Sequence, residues 1–336
     1  MQRVGICFLD RPEVERCLSL AQMAEEAGFD SVWVCETRLA RDAISMLGAL
    51  AAVTKRVKLG SGVINSWTRV APLTAMTFAT LDDLAPGRVL LGIGAYWDPL
   101  AWKQGIERRK PLKQMREYVE VLRRLLNLER FTMEGEFVQV RDIQLDLGYG
   151  APRTPRQIPI YIGATGEKML ELSGEVADGV LLNGITDVDY TRRAVERIAA
   201  GAQRAGRNPD EIDRPQLVNV SMDADGDRAR EIARRLITMY LGQQPHIAKA
   251  SRLSEERLQE IREALGGWPP SDGGIERAMR LVDDDVVERL FVVGTPDECR
   301  AKAQRYLDAG ATGIVLVPTS NNYEEIIEVF APVRVA

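Results

Sequence analysis

Eight short apolar runs limit what this chain can fold into: Val4–Leu9, Ser31–Cys35, Val57–Ile64, Val89–Ile93, Ile158–Gly163, Gly179–Asn183, Gln216–Ser221 and Gly313–Pro318. Most lack the polar alternation of a strand with one wet face. Strands buried on both faces belong to parallel sheets covered by helices. Helical patterns separate the runs. Glu13–Ala27 places Val14, Leu18, Met23 and Ala24 on one stripe and stops at Gly28. Ala43–Val53, Pro72–Leu84, Pro111–Leu126, Gly166–Ala177, Asp189–Ala205 and Asp297–Ala309 follow, the last two stopping near Gly206 and at Gly310. Glycine suits those ends because it enters the left-handed region without a steric penalty. A β-then-α rhythm repeated eight times predicts a (β/α)₈ TIM barrel over an open doubly wound sheet.

Two stretches are too long to be simple connections. Ala95–Gln157, after the fourth strand, holds one helix and an alternating piece, Gly135–Val140, that reads as a small hairpin. Ala224–Pro296, after the seventh, holds charged helical segments around Gly266-Gly267-Trp268-Pro269-Pro270, which reads as a loop between helices. The expectation is one domain over residues 1–336 with two insertions.

Charge and cysteine usage exclude several functions. A net charge of −5 does not suit a phosphate-tracking surface, so no nucleic-acid partner is expected. Arg108-Arg109-Lys110 reads as a solvated loop before Pro111. The four cysteines, Cys7, Cys17, Cys35 and Cys299, form no CxxC pair, and His246 is the one histidine, so no metal site is expected. Buried free thiols suit a reducing cytoplasm. No charged leader with a long apolar run precedes the first strand pattern, and no apolar stretch reaches membrane-spanning length, so neither a secretory signal nor a membrane partner is expected.

In a barrel, chemistry gathers just past the carboxyl ends of the strands. Those positions here are Asp10, Glu36-Thr37-Arg38, Gly60–Asn65, Gly92–Ala95, Gly163-Ala164-Thr165-Gly166, Asn183-Gly184 and Pro318–Asn322. The Gly163–Gly166 turn ends a strand and opens a helix, so backbone N–H groups and the Thr165 hydroxyl are candidates to hold a phosphate. A tight turn with no ligand is the alternative reading of the same residues. Gly92-Ile93-Gly94 lacks the third glycine of a dinucleotide fingerprint and is not a Rossmann site. Gly60-Ser61-Gly62 offers either a bare surface for a flat ring or a bend at the rim. Glu36 and Asp10 are polar candidates at the mouth; each could equally cap a helix or pair with Arg38 or Arg41. His246 lies far from any strand end, and no base–nucleophile pair is evident, which points to a borrowed cofactor.

Several segments carry a family resemblance in order and spacing: Arg56–Val63, Thr80–Arg88, Leu91–Gly94, Ile158–Gly166, Ala177–Gly179 and Val293–Pro296. Together they resemble the luciferase-like monooxygenase superfamily, and most nearly its deazaflavin-dependent branch around methylenetetrahydromethanopterin reductase. The resemblance implies a barrel, often dimeric, with a non-prolyl cis peptide at Gly62–Val63 pressing on a ring. It implies a cofactor tail near Gly163, Ala164, Thr165 and Gly166, and a ring pocket lined by Asn65, Gly94, Ala95 and Asn183. The implied cofactor is coenzyme F420, with FMN as the alternative. The implied activity is hydride transfer to or from a small organic substrate, in a homodimer. Two departures stand out. Glu36 is followed by Thr37 where the reductase branch has His, and Cys7 stands where that branch has Glu. Glu36 remains the candidate catalytic group. The rivals are an FMN-dependent monooxygenase, a lyase or isomerase acting on a phosphorylated metabolite, and a non-catalytic partner subunit. The lyase reading would need a lysine or a carboxylate pair at strand ends, and Lys58 falls before the glycines.

Overall fold

The computed structural model describes residues 3–148, 154–242, 244–267 and 269–332. Trp268 and the side chain of His246 lie outside the described residues. Strands among them are β1 (Val4–Phe8), β2 (Ser31–Val34), β3 (Lys58–Ser61), β4 (Ile64–Asn65), β5 (Val89–Gly94), β6 (Phe131–Glu134), β7 (Gln139–Ile143), β8 (Ile160–Ala164), β9 (Gly179–Leu182), β10 (Pro215–Met222), β11 (Val292–Gly294) and β12 (Gly313–Pro318).

The chain packs as two compact units. One comprises Met1–Ile6, Leu182–Val195 and Arg214–Ala336, the other Cys7–Leu181 and Glu196–Asp213. In the first, β10 pairs β11 and β12, β12 pairs the start of β1, and Gln216 pairs Leu182. In the second, β2, β3, β5 and β8 pair in that order, all parallel. Strands β1 and β9 each run through both units, and the sheet order, β12-β1-β2-β3-β5-β8-β9 with β10 pairing both β9 and β12, returns on itself. That is the topology of a (β/α)₈ barrel. β1, β2, β5, β9 and β12 are buried along their whole length, as runs without alternation require. The insertions follow the fourth and seventh barrel strands, as expected.

Several expectations needed correction. The run Val57–Ile64 is broken into β3 and β4, with Gly62 and Val63 in neither. The first helix, Val14–Glu26, buries Cys17, Leu20, Ala21 and Ala24, while Val14 is exposed. The true stripe follows i, i+3, i+4, i+7 spacing, and a cysteine and two alanines hide it from a count of large apolar residues. Cys35 lies just past β2 rather than inside it. The alternating piece Gly135–Val140 covers the tip of a hairpin whose strands are β6 and β7. β11, three residues long, gave no signal as a run of its own.

The hairpin tip is held by a helix. Glu117, on the helix Pro111–Leu126, is buried and accepts hydrogen bonds from the backbone N–H groups of Glu136 (3.1 Å), Phe137 (2.7 Å) and Val138 (3.0 Å). Among the described residues no helix is long and apolar enough to cross a membrane, and no cluster of His, Cys, Asp or Glu could hold a metal ion.

Candidate functional site

The site grows from a misfit between β3 and β5. Gly60 faces Leu90, but Ile64 faces Ile93, so four residues advance on one side against three on the other. The extra residue is a bulge, which bends a strand and leaves backbone outside the ladder. Ser61 fills the gap: its Oγ donates to Gly92 O (2.7 Å) and accepts from Gly92 N (2.9 Å). The Gly62–Val63 peptide within the bulge is cis, as the resemblance implies. Gly62 N donates to Val34 O (2.8 Å), and Val63 O accepts from Glu36 N (3.4 Å).

Val63 is the side chain around which three strand ends close. A Cβ on Gly94 would lie 2.7 Å from its Cγ2, and one on Gly163 would lie 3.0 Å from its Cγ1. A Cβ on Gly92 would overlap the Ser61 carbonyl oxygen. Gly92 and Gly94 therefore serve close strand packing and not a nucleotide turn. Gly60 yields its space to the Trp33 indole, and the space beside Gly62 is bounded by Trp33 and Leu181. Gly60-Ser61-Gly62 is thus not a bare platform: what Gly62 can offer a ligand is its peptide.

Asn65 pairs with Gly94, and Gly94 with Gly163. The Asn65 Oδ1 accepts from Trp67 N (3.0 Å) and Thr68 N (2.8 Å), which fixes the amide and leaves its Nδ2 without a partner among the described residues. Ala95 follows, its carbonyl accepting from Arg108 (3.2 Å). The Gly163–Gly166 turn opens the helix Glu167–Val176 at Gly166, and no atom lies within 4 Å of where a Gly166 Cβ would be. Left-handed backbone at the non-glycine residues Arg38 (φ 51°), Leu39 (φ 58°) and Tyr96 (φ 65°) falls in the same strand-end loops, where such conformations often accompany function. The structure thus brings Gly62, Val63, Asn65, Gly94 and Gly163 together. Asn183 lies in the other compact unit, where its carbonyl accepts from Thr186 Oγ1 and Gln216 Nε2.

A model of the luciferase-like monooxygenase family matches residues 3–313. This chain belongs to that family. A 5,10-methylenetetrahydromethanopterin reductase of Methanolobus tindarius is 34% identical to this luciferase-like chain over 96% of it and 97% of the relative. An F420-dependent glucose-6-phosphate dehydrogenase of Microbacterium testaceum is 30% identical over 93% and 90%. Among solved structures, the coenzyme F420-dependent tetrahydromethanopterin reductase of Methanopyrus kandleri superposes with a TM-score of 0.86 at 29% identity, covering 98% of this chain and 96% of that one.

In this luciferase-like protein the Glu36 carboxylate pairs with Arg69. Arg38 pairs with Asp10, and Arg41 donates to Pro12 O (2.6 Å). Glu36 is held by Arg69 through both oxygens, each at 2.8 Å, with Ala43 N adding a third donor (3.3 Å). Arg69 also reaches Asp42 (2.6 Å). Burial works against the Arg69 charge, but the two carboxylates outweigh it and hold its pKa above the ordinary value. Arg69 is the functional candidate that sequence reasoning missed. Its only signal was a lone cation four residues past Asn65. Burial, with Cys35 beside it, pushes the Cys7 thiol well up, so Cys7 does not replace an acidic group. Lys58 sits at the start of β3, 3.4 Å from Asp30, away from the strand ends where a lyase would need it.

Proposed function

We propose that this chain is a coenzyme F420-dependent oxidoreductase, similar to methylenetetrahydromethanopterin reductase, moving a hydride between the deazaflavin and a small organic substrate. The observation that carries this reading is the clustering of Gly62, Val63, Asn65, Gly94 and Gly163 at the bulge, in a chain matching such reductases over nearly its whole length. A bound deazaflavin supplies the hydride chemistry. The residues present fit such a group. Val63 offers an apolar face, and Gly94 and Ala95 add little bulk beside it. The fixed Asn65 amide presents N–H donors to a ring acceptor. Gly163, Ala164, Thr165 and Gly166, ahead of a helix, suit the phosphate of the tail. Glu36, clamped by Arg69, supplies a fixed carboxylate that orients polar groups and handles the proton accompanying the hydride.

We further propose that the chain acts as one functional domain, since one family model spans both compact units, and that it works as a homodimer. The helix Ala71–Leu84 supports the dimer: Leu73, Met76 and Leu84 on it, and Val70 at its N-cap, are exposed apolar side chains.

Fluorescence quenching of the purified protein with coenzyme F420 and with FMN tests the cofactor reading. Micromolar binding of F420 with weaker FMN binding is expected. Tight FMN binding without F420 affinity replaces it with an FMN-dependent monooxygenase. Binding of neither removes both redox readings and leaves the non-redox rivals.

A further inference from the structure

The insertion after β5 does more than fill space at the mouth. Its helix, Pro111–Leu126, meets the segment that follows β4 at two positions one turn apart. Gln114 is buried and bonded through both ends of its amide: its Nε2 donates to Ser66 O (2.8 Å) and its Oε1 accepts from Ser66 Oγ (2.8 Å). Tyr118 Oη donates to Arg69 O (2.9 Å) and lies 2.6 Å from Thr74 Oγ1. Burial pushes the Tyr118 phenol up to about 12, so it stays a donor at ordinary pH. From the hairpin, Phe137 packs edge-on against Trp67, with ring centroids 5.9 Å apart. Residues 66, 67 and 69 are therefore each held from the insertion. Asn65 precedes them, and Arg69 carries the bidentate bond to Glu36.

We propose that Gln114 is a positioning residue for the cofactor pocket, with Tyr118 as its second anchor: together they lock Asn65–Arg69 so that the Asn65 amide and the Arg69–Glu36 pair are in place before the coenzyme arrives. A loop held this way does not have to be ordered by the ligand, so binding free energy is not lost to fixing it. Removing the Gln114 amide leaves the Ser66 carbonyl short of a donor and the Ser66 hydroxyl with only its longer bond to Gly94 O (3.3 Å), and a buried carbonyl left unpaired costs more than the hydrogen bond alone. The proposal rests on the coenzyme reading only for its binding arm.

The test compares the full-length protein with Gln114→Leu, and with Arg123→Met as a control. Arg123 sits at the other end of the same helix, where it donates to Val176 O and Asp178. Amide hydrogen exchange of Trp67 and Thr68, both bonded to Asn65 Oδ1, is measured without ligand. The Kd for coenzyme F420 is then measured. Gln114→Leu is expected to speed exchange at both amides and to weaken binding about tenfold. Adding Asn65→Ala to it should cost no more than Asn65→Ala alone. Arg123→Met should lower thermal stability and leave both readouts unchanged. Unchanged exchange and affinity in folded Gln114→Leu overturn the proposal, and so does an equal loss of affinity in Arg123→Met. If Gln114→Leu does not fold, Tyr118→Phe takes its place with the same readouts and a smaller shift. If the wild-type protein binds no coenzyme, the cofactor reading falls, and the exchange arm still decides whether Gln114 locks the loop.

Discussion

Two strand-end segments of the same compact unit are built in opposite ways. Asn65–Arg69 is fixed by side chains that come from elsewhere: Gln114, Tyr118 and Phe137 hold it, and it in turn holds Glu36. Gly163–Gly166 is shaped by what its glycines lack. Gly163 gives way to Val63, and Gly166 opens a helix beside empty space. The first arrangement places donors and charges, and the second keeps side-chain bulk away from a strand end. A ligand with a polar ring and an anionic tail needs one of each.

The largest expected effect lies where the two segments meet. Gly94→Val demands the volume that Val63 Cγ2 occupies, so it should weaken coenzyme binding about 100-fold while circular dichroism reports an intact fold. Unchanged affinity would mean that Val63 is not part of the pocket. Next comes the charge on the braced side. Glu36→Gln keeps the shape but loses the carboxylate that Arg69 grips, and kcat should fall roughly tenfold with the coenzyme Kd nearly unchanged. A loss confined to Kd would make Glu36 a binding group alone.

On the open side, Gly166→Ala adds a methyl that meets no protein atom. The melting temperature should fall by no more than about 2 °C, since the N-cap preference for Gly over Ala is worth about 1 kcal/mol and a chain of this length dilutes it. Coenzyme affinity should fall about threefold because the ligand wants that space. Equal affinity would move the phosphate elsewhere. The smallest effect concerns Asp42. Burial would raise its carboxyl pKa, but hydrogen bonds from Ser45, then Arg69, hold it below the ordinary value. A depressed carboxyl stabilises the fold above its unfolded pKa of about 3.9, and that contribution is lost as pH falls through the folded value. Between pH 5 and pH 3 the wild-type melting temperature should therefore fall more steeply than that of Asp42→Asn. Parallel curves would mean that Ser45 and Arg69 together do not hold the Asp42 carboxyl down.

The same contrast explains what could be read from the chain. The barrel was legible because buried strands have a local signature, and Gly28, Gly206 and Gly310 all take the positive φ expected of helix stops. The Gly163–Gly166 turn was legible for the same reason, since its residues are consecutive. The brace was not. Gln114 touches Ser66 across 48 positions, and nothing in a mid-helix glutamine marks it as buried. The Gly60-Ser61-Gly62 reading failed in an instructive way: small residues indicated a close approach, but the approaching groups are Trp33 and neighbouring strands as much as a ligand. The resemblance supplied the Gly62–Val63 cis bond, whereas Arg69 depends on a contact that forms only after folding.

Ser61 has a consequence for anyone who would rebuild this scaffold. Its hydroxyl does for Gly92 what a neighbouring backbone would otherwise do, and so makes room for one residue too many between β3 and β5. A designer regularising the barrel would delete that residue, align the two strands and obtain a tidier sheet. The edit would carry Gly62, Val63 and Asn65 into ordinary strand positions. The tidier protein would have a better ladder and would lose the place where Val63 stands against Gly94 and Gly163: on the function proposed above, idealisation removes the surface that a coenzyme needs.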